Sequence, residues 1–376
     1  MSDTGMTTMQ VKKINKKKVY DFIYKEGTTS KQQIANSLQM GLSTVTQNLK
    51  LLEEDGFIQK NGSYDSTGGR KADAIEIVTT ARISIGIALL REMIDLVATD
   101  LYGNRIASHT DPLPYEDTES YYQQVAILLN AFVESTQITS EMILGVSIAT
   151  QGIISNDGTH VTYGSLLSNE HMRLSSFAQY IPYPCRLEHD SKSAATLELW
   201  QIPTLQEAVV LILNRNLGGA IISGGKVQEG IRMHSGTIEH LCMNQDGALC
   251  YCGKRGCLET YCSADSLQAI SGQTIPEFFV SLRTGHEPTI LIWQEYLHYL
   301  AYAIRNLSVV INGIFIISGF LAPYFTEEDL SYLLERVNRS ATFPLERADL
   351  ILSKNGEYTQ AIGASLWYTK EFLHTI

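Results

Sequence analysis

A short segment of this chain combines one histidine and three cysteines at a spacing that could hold a metal ion. The candidate ligands are His240, Cys250, Cys252 and Cys257. One imidazole and three thiolates are a usual ligand set for tetrahedral zinc, and glycines at positions 253 and 256 would let the segment fold tightly. Because four protein ligands leave no coordination position for a catalytic water, the sequence predicts a structural zinc site.

Three other cysteines, Cys185, Cys242 and Cys262, lie outside this pattern. The alternatives to zinc are a chance cluster and disulfide bonds. We find no signal peptide in the sequence, and cysteine pairs in intracellular proteins bind metal more often than they form disulfides. We therefore expect bound zinc and a cytoplasmic location.

The composition is that of a soluble protein with two or three domains. Of the 376 residues 44% are hydrophobic, and no apolar run is long enough to span a bilayer. The net charge of −11 is unevenly distributed, because residues 1–71 contain 11 Lys and Arg against 7 Asp and Glu, a balance of +4 that leaves −15 on the rest. This asymmetry predicts a basic head that binds DNA at the nucleoid, an acidic body, and no membrane contact.

Hydrophobic periodicity predicts three helices in the head. The first covers residues 10–25 and ends at Gly27. Ser30 followed by Gln33 is typical of a capping box at the start of the second helix, and Gly41 would permit a tight turn before the third. The apolar stripe of the first helix consists of Val11, Ile14, Val19, Phe22 and Ile23.

The third helix is the candidate for reading DNA bases. It starts near Ser43 and is expected to bury Val45, Leu49 and Leu52. Short hydroxyl and amide side chains at the start of a helix that follows a glycine turn are typical of a major-groove reading helix. The predicted DNA contacts on this helix are Ser43, Thr44, Thr46, Gln47 and Lys50.

Two strand-like runs near residues 57–58 and 74–77 follow the third helix, and the segment between them predicts the wing of a winged helix-turn-helix. Arg70 or Lys71 at the tip could enter a narrow minor groove or hold a phosphate. The alternative is a charged hairpin on a helical module that binds protein rather than DNA. We assign residues 1–78 to this DNA-binding domain.

The zinc segment also resembles the signature of a known family. A cysteine ten residues after His240 begins the pattern Cys-x-Cys-Gly-x-x-Gly-Cys-x-Glu, which ends at Glu259. This pattern is similar to that of the ROK family of repressors, open reading frames and sugar kinases, and the similarity covers nearly the whole chain. The Gly-Gly-Arg that ends at Arg70 is the wing tip of the repressor branch, which includes xylose-, N-acetylglucosamine- and glucose-responsive repressors.

The resemblance implies an α/β fold in which an N-terminal winged helix-turn-helix precedes a two-lobed, actin-like body of the hexokinase or ribonuclease H-like type. It places the first lobe at residues 82–198 and the second lobe, with the zinc segment and the dimer interface, at residues 199–360. The last helix, residues 361–376, would pack back on the first lobe. Its apolar residues could instead form a docking surface for a protein partner.

The family's sugar kinases hold the phosphates of ATP with two glycine-rich turns, and both differ here. The first, Asp-x-Gly-Gly-Thr, is replaced by Ala-Leu-Leu-Arg-Glu at residues 88–92. The second, Gly-Thr-Gly-x-Gly, is replaced by Asn-Arg-Asn-Leu-Gly-Gly at residues 214–219. Because side chains now occupy positions where bare backbone should meet an anion, we predict that this chain is not an enzyme.

The sugar side of the family pattern is better retained. Asp190 matches the catalytic base of the kinases and would here be vestigial, and Thr237 stands in place of a sugar-binding glutamate unless Glu239 reaches in. The alternatives are that Asp190 caps a helix and that Glu259 supports a zinc ligand. The predicted effector contacts are Gly152, His189, Asp190, Thr237, His240 and Glu259.

Together these features predict a sequence-specific transcriptional regulator of carbohydrate metabolism, of the repressor type. It would bind operator DNA as a homodimer or homotetramer and respond to a sugar or sugar phosphate in a cleft that has lost its kinase activity. The alternatives are a sugar kinase with an atypical nucleotide site and a regulator controlled by a protein partner.

Overall fold

The computed structural model describes residues 8–64 and 72–376. The head is a winged helix-turn-helix whose three strands form an antiparallel sheet in the order β1-β3-β2. Its elements are α1 (Thr8–Glu26), β1 (Thr28–Thr29), α2 (Lys31–Leu38), α3 (Leu42–Glu54), β2 (Ile58–Tyr64) and β3 (Ala72–Ile77). The three predicted helices and the two strands of the wing are therefore present.

Local details of the head differ from the sequence prediction. Only half of the capping box forms, because Ser30 Oγ accepts the backbone N–H of Gln33 at 3.3 Å while Gln33 Oε1 is buried without a hydrogen-bond partner. The left-handed residue between α2 and α3 is Gln39, with a φ of 53°, whereas Gly41 has an extended conformation. The apolar stripe of α1 is also shorter than predicted, since Val11 and Ile14 are exposed.

The first lobe has a five-stranded sheet in the order β10-β7-β4-β5-β6, and helices cover its faces. Strands β4, β7 and β10 are parallel, whereas β4, β5 and β6 form an antiparallel meander. The elements are β4 (Ile83–Leu89), β5 (Met93–Thr99), β6 (Arg105–Pro112), α4 (Glu119–Glu134), β7 (Ile143–Thr150), β8 (Ile153–Ile154), β9 (Val161–Tyr163), α5 (Leu174–Ala178), β10 (Cys185–His189) and α6 (Asp190–Gln201).

The second lobe repeats this topology with a sheet in the order β13-β12-β11-β14-β15. A meander again precedes two parallel strands. The elements are β11 (Ala208–Leu213), β12 (Leu217–Ser223), β13 (Lys226–Val227), α7 (Glu259–Cys262), α8 (Ala264–Ser271), α9 (Ile275–Arg283), α10 (Glu287–Ser308), β14 (Ile314–Ser318), α11 (Glu327–Asn338), β15 (Leu350–Leu352) and α12 (Thr359–Thr375). Two lobes of the same topology are the architecture of an actin-like or hexokinase-type body.

The C-terminal helix α12 lies against the first-lobe sheet and against α6. Two glycines make this close packing possible, because a Cβ at Gly86 would lie 1.8 Å from the carbonyl oxygen of Ala361 and one at Gly363 would lie 1.8 Å from that of Ser193. Any larger residue at either position would push α12 away from β4 or α6. This helix therefore fixes the start of α6 relative to the first lobe.

The end of α12 reaches the head. The rings of Phe57 and Phe372 pack edge to face with centroids 5.4 Å apart, and Lys17 Nζ donates to the carbonyl oxygen of Leu373 at 2.7 Å. Ile376 belongs to the same hydrophobic cluster as the core of the head. The apolar end of α12 is consequently used inside the molecule, which leaves less of it for the docking surface considered as an alternative.

Across the described ranges, none of the helices has the length and apolar character needed to cross a membrane.

Candidate functional site: an interlobe cleft and a metal cluster

A cavity of about 490 Å³ lies between the two lobes. Much of its lining follows the carboxyl ends of strands, since Gln151 comes after β7, Asp190 after β10 and Asn214 after β11. Open α/β sheets bind ligands at this edge because the loops there are free to converge. The predicted contacts Gly152, His189, Asp190, Thr237 and His240 all line the cavity.

Asp190 is the first residue of α6 and belongs both to the cavity wall and to the helix start. Its Oδ1 accepts the backbone N–H of Ser191 at 2.6 Å and the Ser191 hydroxyl at 3.2 Å. Burial raises the pKa of Asp190 to about 6. The carboxylate thus combines the helix-terminus contact with a position from which it can accept a hydrogen bond from a ligand hydroxyl.

His189 precedes Asp190 at the end of β10. Burial lowers its pKa to about 3, with a further contribution from the charge of Lys192, so the imidazole is neutral at physiological pH. Its Nδ1 lies 3.7 Å from Asp190 Oδ1 and is buried, and no group in residues 8–64 and 72–376 forms a hydrogen bond with it. A neutral ring with a free nitrogen at the cavity wall is suited to a hydrogen bond with an uncharged polar ligand.

Glu239, the residue that could replace Thr237 as the acidic group of the site, also lines the cavity. It is 8% exposed, and its Oε2 has no hydrogen-bond partner among the described residues. Burial raises its pKa to about 8, and the charges of Asp190 and Glu259 add to this shift. Both Thr237 and Glu239 line the cavity, so a carboxyl group does reach in beside the threonine.

Glu259 lies outside the cavity lining. Its Oε1 accepts from Asn216 Nδ2 at 2.9 Å and its Oε2 accepts from the backbone N–H of Leu217 at 2.6 Å. Glu259 is 5% exposed, and both of its carboxylate oxygens accept hydrogen bonds. It therefore connects the end of the segment that carries the three cysteines to the β11–β12 turn. The predicted effector contact Glu259 therefore lies behind the cavity wall and is not one of its lining residues.

Of the two turns that would face ATP phosphates in a kinase, the second is occupied by the chain's own groups. In the second turn, Asn214 Oδ1 accepts the backbone N–H of Phe320 at 2.7 Å. A Cβ at Gly218 would lie 2.3 Å from Ser191 Oγ, and one at Gly219 would lie 2.2 Å from Ile238 Cγ1. The glycines that remain are therefore required by close packing. In the first turn, Leu89 is buried at the end of β4.

The side chains of His240, Cys250, Cys252 and Cys257 converge, and their ligand atoms all lie within 4.8 Å of one another. Cys252 Sγ and Cys257 Sγ are 3.7 Å apart, and His240 Nδ1 is 4.0 Å from Cys250 Sγ. Zinc bonds of about 2.0–2.3 Å at tetrahedral angles separate ligand atoms by about 3.3–3.8 Å. The cluster therefore fits a metal ion after small adjustments.

A tight turn brings the three sulfurs together. The backbone N–H of Gly253 donates to the carbonyl of Cys250 at 2.9 Å, and that of Cys250 donates to the carbonyl of Lys254 at 2.8 Å. Gly256 has a φ of 70°, and a Cβ there would lie 1.5 Å from the carbonyl oxygen of Asn244. Only glycine fits this position, which agrees with the tight fold predicted from the sequence.

The metal cluster and the cavity are adjacent. His240 belongs to both, and Tyr251, which lies between two of the cysteines, lines the cavity with its ring edge to face against His240 at 5.3 Å between centroids. The sequence reasoning missed Tyr251 although its position within the motif could have indicated it. It also missed Tyr163, Arg232 and His234, which line the cavity and carry no sequence signal.

In the head, α3 buries Val45, Leu49 and Leu52 as predicted. Its opposite face exposes Ser43, Thr46, Gln47 and Lys50, whereas Thr44 is half-buried. Thr46 Oγ1 donates to the carbonyl of Leu42 at 2.7 Å, and Lys50 Nζ is 3.6 Å from Glu54 Oε1. Arg70 and Lys71, the predicted wing contacts, lie outside the described residues.

One test separates the predicted effector-binding role of Asp190 from its structural role at the start of α6. Since the pKa of Asp190 is raised to about 6, its contribution to stability is fully present below the ordinary value of 3.8 and is lost as the pH rises through 6. Asp190→Asn should therefore leave stability at pH 7.5 unchanged or slightly higher. Loss of a charged hydrogen bond should weaken sugar binding by roughly 10- to 100-fold.

Wild-type sugar affinity should rise with pH through about 6, and this dependence should vanish in Asp190→Asn. Calorimetric titration at pH 5.5 and 7.5 measures both effects, and thermal unfolding provides the stability comparison. Glu116→Gln, a substitution outside the cavity lining, is the control. Unchanged affinity together with reduced stability would assign Asp190 to the helix start alone.

The chain combines a winged helix-turn-helix head with a two-lobed body that contains an interlobe cavity and a Cys3His cluster. This is the class of proteins that carry a head of the DNA-binding type on a body of the sugar-kinase type. The chain belongs to the ROK family, whose model matches residues 84–371, and a winged helix-turn-helix DNA-binding model matches residues 13–59.

Similar sequences include regulators. The N-acetylglucosamine repressor of Escherichia coli O157:H7 is 28% identical over 253 residues, which cover 66% of this chain and 62% of that repressor. The match thus spans less than two thirds of the relative's length. The xylose repressor of Caldicellulosiruptor bescii is 24% identical over 352 residues, which cover 88% of both chains.

Solved structures share the fold. A ROK family transcriptional regulator, described as a homologue of the E. coli MLC protein, superposes with a TM-score of 0.75 at 17% identity over 97% of both chains. A ROK family glucokinase from Streptomyces griseus, in complex with glucose and AMPPNP, gives 0.65 at 18% identity over 76% of this chain and 98% of the kinase. At 97% coverage of this chain, the regulator alignment must include most of the head.

Proposed function

We propose that this protein is a sequence-specific DNA-binding transcriptional regulator, of the repressor type, that controls carbohydrate metabolism in response to a sugar. The observation that carries the proposal is the exposed polar face of α3 on a winged head that is joined to a body with an interlobe cavity. The regulatory relatives support it. Action on operator DNA would place the protein in the cytoplasm, at the nucleoid.

The effector would be a sugar or a sugar derivative, including a sugar phosphate, bound in the interlobe cavity. Asp190, His189 and Glu239 offer hydrogen-bonding groups from the two lobes, and Arg232 adds a cation at the same cavity. A pocket of this kind suits a ligand with many hydroxyl groups. The occupied second phosphate turn supports a body that no longer transfers phosphate.

The metal would be a structural zinc ion. The donor set of one imidazole and three thiols is saturated by the protein, so zinc would add no open coordination position. Burial and the neighbouring sulfurs raise the pKa of the Cys257 thiol to about 12, and a bound cation would hold these sulfurs as thiolates. By ordering Tyr251 and His240, the metal would shape one wall of the cavity.

The assembly would be a homodimer, or a homotetramer built from dimers, whose reading helices enter successive major grooves about 34 Å apart, or a multiple of that distance. Effector binding would change the angle between the lobes and so the spacing of the heads. An effector shifts this equilibrium only by its different affinity for the two arrangements.

A chain of contacts supports this coupling. Helix α6 starts at Asp190 in the cavity, and near its other end Trp200 Nε1 donates to the carbonyl of Tyr102 at 2.7 Å. Tyr102 Oη donates to the carbonyl of Tyr24 in α1 at 2.8 Å, and the two rings are 4.6 Å apart. One helix thus connects the cavity to a residue that contacts the head.

Trp200→Phe should reduce the coupling between the two sites. It removes the indole N–H and leaves the ring volume largely in place, so operator affinity without effector should change less than about threefold. Allosteric coupling free energies are typically about 1–3 kcal/mol, and in this variant the coupling should be largely lost. The ratio of operator affinities with and without effector should therefore approach 1. Operator titration with and without sugar measures this change, and Trp367→Phe on α12 is the control. An undiminished effector response would contradict the relay.

The proposed function is tested by recovering genomic DNA fragments bound by the full chain and titrating them at two salt concentrations. A panel of N-acetylglucosamine, xylose, glucose and their phosphate esters is then added. We expect the logarithm of affinity to fall linearly with that of salt, at a slope of about −0.9 per contacted phosphate, and one sugar to shift the affinity. Failure to enrich any fragment would overturn the DNA-binding function.

A sugar kinase is the second candidate, because Asp190 is retained at the cavity and the fold is shared with a glucokinase. In a kinase this carboxylate would accept the proton of the attacking sugar hydroxyl. Phosphorylation of a sugar by ATP that disappears in Asp190→Asn would favour this candidate. We expect none, since the second phosphate turn is occupied.

A further inference from the structure

Lys192, the third residue of α6, is a buried cation whose hydrogen bonds go to another part of the cleft. It is 7% exposed. Its Nζ donates to the backbone carbonyl of Met233 at 2.5 Å and to that of Glu229 at 3.4 Å. Burial lowers the pKa of Lys192, while the charges of Glu229 and Glu188 oppose this shift. The side chain thus joins the start of α6 to residues of the second lobe.

The segment it contacts is residues 228–236, which we call the cleft loop. The loop follows β13 and leads into the short helical turn at Ile238–His240. Met233 has a φ of 63° in the left-handed region, which is unfavourable for a residue with a side chain. The surrounding structure must hold this conformation, and Lys192 bonds directly to the Met233 carbonyl.

The cleft loop forms one wall of the cavity. Its Arg232 and His234 line the cavity together with Asp190 and His189. Both loop residues are otherwise exposed, so their position depends on the backbone that carries them. The first turn of α6 consequently supplies a carboxylate to the cavity and, two residues later, the ammonium group that contacts the opposite wall.

We propose that Lys192 is a positioning residue of the effector site, which fastens the cleft loop to α6 so that Arg232 and His234 face the Asp190 side of the cavity. This inference rests on the proposed effector-binding function of the cleft. An ammonium group can bond two carbonyls at once, whereas an apolar side chain of similar length removes this donor from both, and the Glu229 carbonyl then keeps only the backbone N–H of Ser235 at 3.1 Å. Removing the donor frees the loop without opening a large void.

The first arm of the test needs no effector. Cleavage by an arginine-specific protease after Arg232, followed by mass spectrometry, reports the freedom of the loop. The substitutions by methionine or glutamine leave the cleavage sites unchanged, and the site that Lys192→Arg adds at residue 192 gives fragments of different mass. We expect Lys192→Met to raise the cleavage rate at least tenfold and Lys192→Arg, which keeps a donor, to restore most of the protection. Lys226→Met, an exposed lysine on β13, is the matched control. Lys192→Gln replaces the methionine variant if that variant does not fold.

The second arm measures sugar binding by calorimetry with the same panel of N-acetylglucosamine, xylose, glucose and their phosphate esters. Lys192→Met should weaken sugar binding about tenfold or more, and Lys192→Arg should recover it. The midpoint of global thermal unfolding should be unchanged in both variants. Cleavage equal to wild type would overturn the fastening role. Faster cleavage with unchanged sugar affinity would overturn the role in the effector site.

The two arms also distinguish a failure of this inference from a failure of the proposed function. If the wild-type protein binds no sugar of the panel, effector binding by the cleft fails, and the positioning role fails with it. The protease arm would even then decide whether Lys192 fastens the loop. If wild type binds a sugar and Lys192→Met binds it equally well, only the inference about Lys192 is wrong.

Discussion

Replacing Cys257 with serine should abolish metal binding and destabilise the protein by several kcal/mol. Serine keeps the volume of the side chain but removes one of four ligands from a buried cluster. Structural zinc contributes about 10–16 kcal/mol in small zinc peptides, and part of this, on the order of 5 kcal/mol, should be lost here. A loss of that size lowers the unfolding temperature by roughly 10–20 °C.

Elemental analysis of the purified protein measures the metal, with one zinc per chain expected for wild type and none for Cys257→Ser. Differential scanning calorimetry measures the stability. Cys242→Ser is the matched control, because Cys242 is an exposed cysteine in the same segment that lies outside the cluster. A full complement of zinc in Cys257→Ser, or loss of zinc in Cys242→Ser, would show that the ligand assignment is wrong.

The metal variant should also weaken effector binding. His240 and Tyr251 line the cavity, and the metal segment supplies both. Without the ion, the turn that places them would be held by its backbone hydrogen bonds alone. Sugar affinity should fall in Cys257→Ser and remain in Cys242→Ser when both are compared at a temperature where both are folded.

The second large effect is expected at the reading helix. Gln47 is exposed on α3, and a glutamine there can form two hydrogen bonds with an adenine edge in the major groove. Gln47→Ala should cost about 1–3 kcal/mol for each half-site, or roughly a 5- to 150-fold loss of affinity per half-site. Part of the sequence preference at the contacted base pair should be lost as well.

Titration of wild-type and single-base-changed operators measures this effect. Gln32→Ala is the control, because Gln32 is an exposed glutamine on α2 whose side chain donates to Asn36 Oδ1 at 3.1 Å. Lys50→Ala should act differently and reduce the salt slope by about 1 per subunit, with the sequence preference intact. Equal losses on matched and mismatched DNA for Gln47→Ala would mean that Gln47 does not read a base.

The metal cluster was predictable because its information is local. Three cysteines within eight positions are brought together by one turn, and Gly256 fits that turn only without a side chain. The helices of the head were predictable for a similar reason, since the period of their apolar residues encodes the buried face. The exposed ends were less predictable, because periodicity alone does not show that Val11 and Ile14 extend past the core.

The cavity was only partly predictable. Family resemblance located five lining residues, yet it also included Glu259, whose two oxygens are engaged by Asn216 and Leu217. Sequence position does not indicate which way a carboxylate points once its loop has folded. Arg232 and His234 carry no motif, because their place in the cavity depends on a loop that Lys192 contacts from another lobe.

The sequence by itself determined the family, the α/β class, the order of head and body, and the four residues of the Cys3His cluster, because these depend on residue type and short-range spacing. Only the tertiary structure decided which groups share the cavity and how the head meets the body. Contacts such as Lys192 with Met233, Gly363 with Ser193, and Trp200 with Tyr102 join residues from 41 to 170 positions apart. Such contacts follow from the packing of whole helices and sheets, and no local pattern in the sequence encodes them.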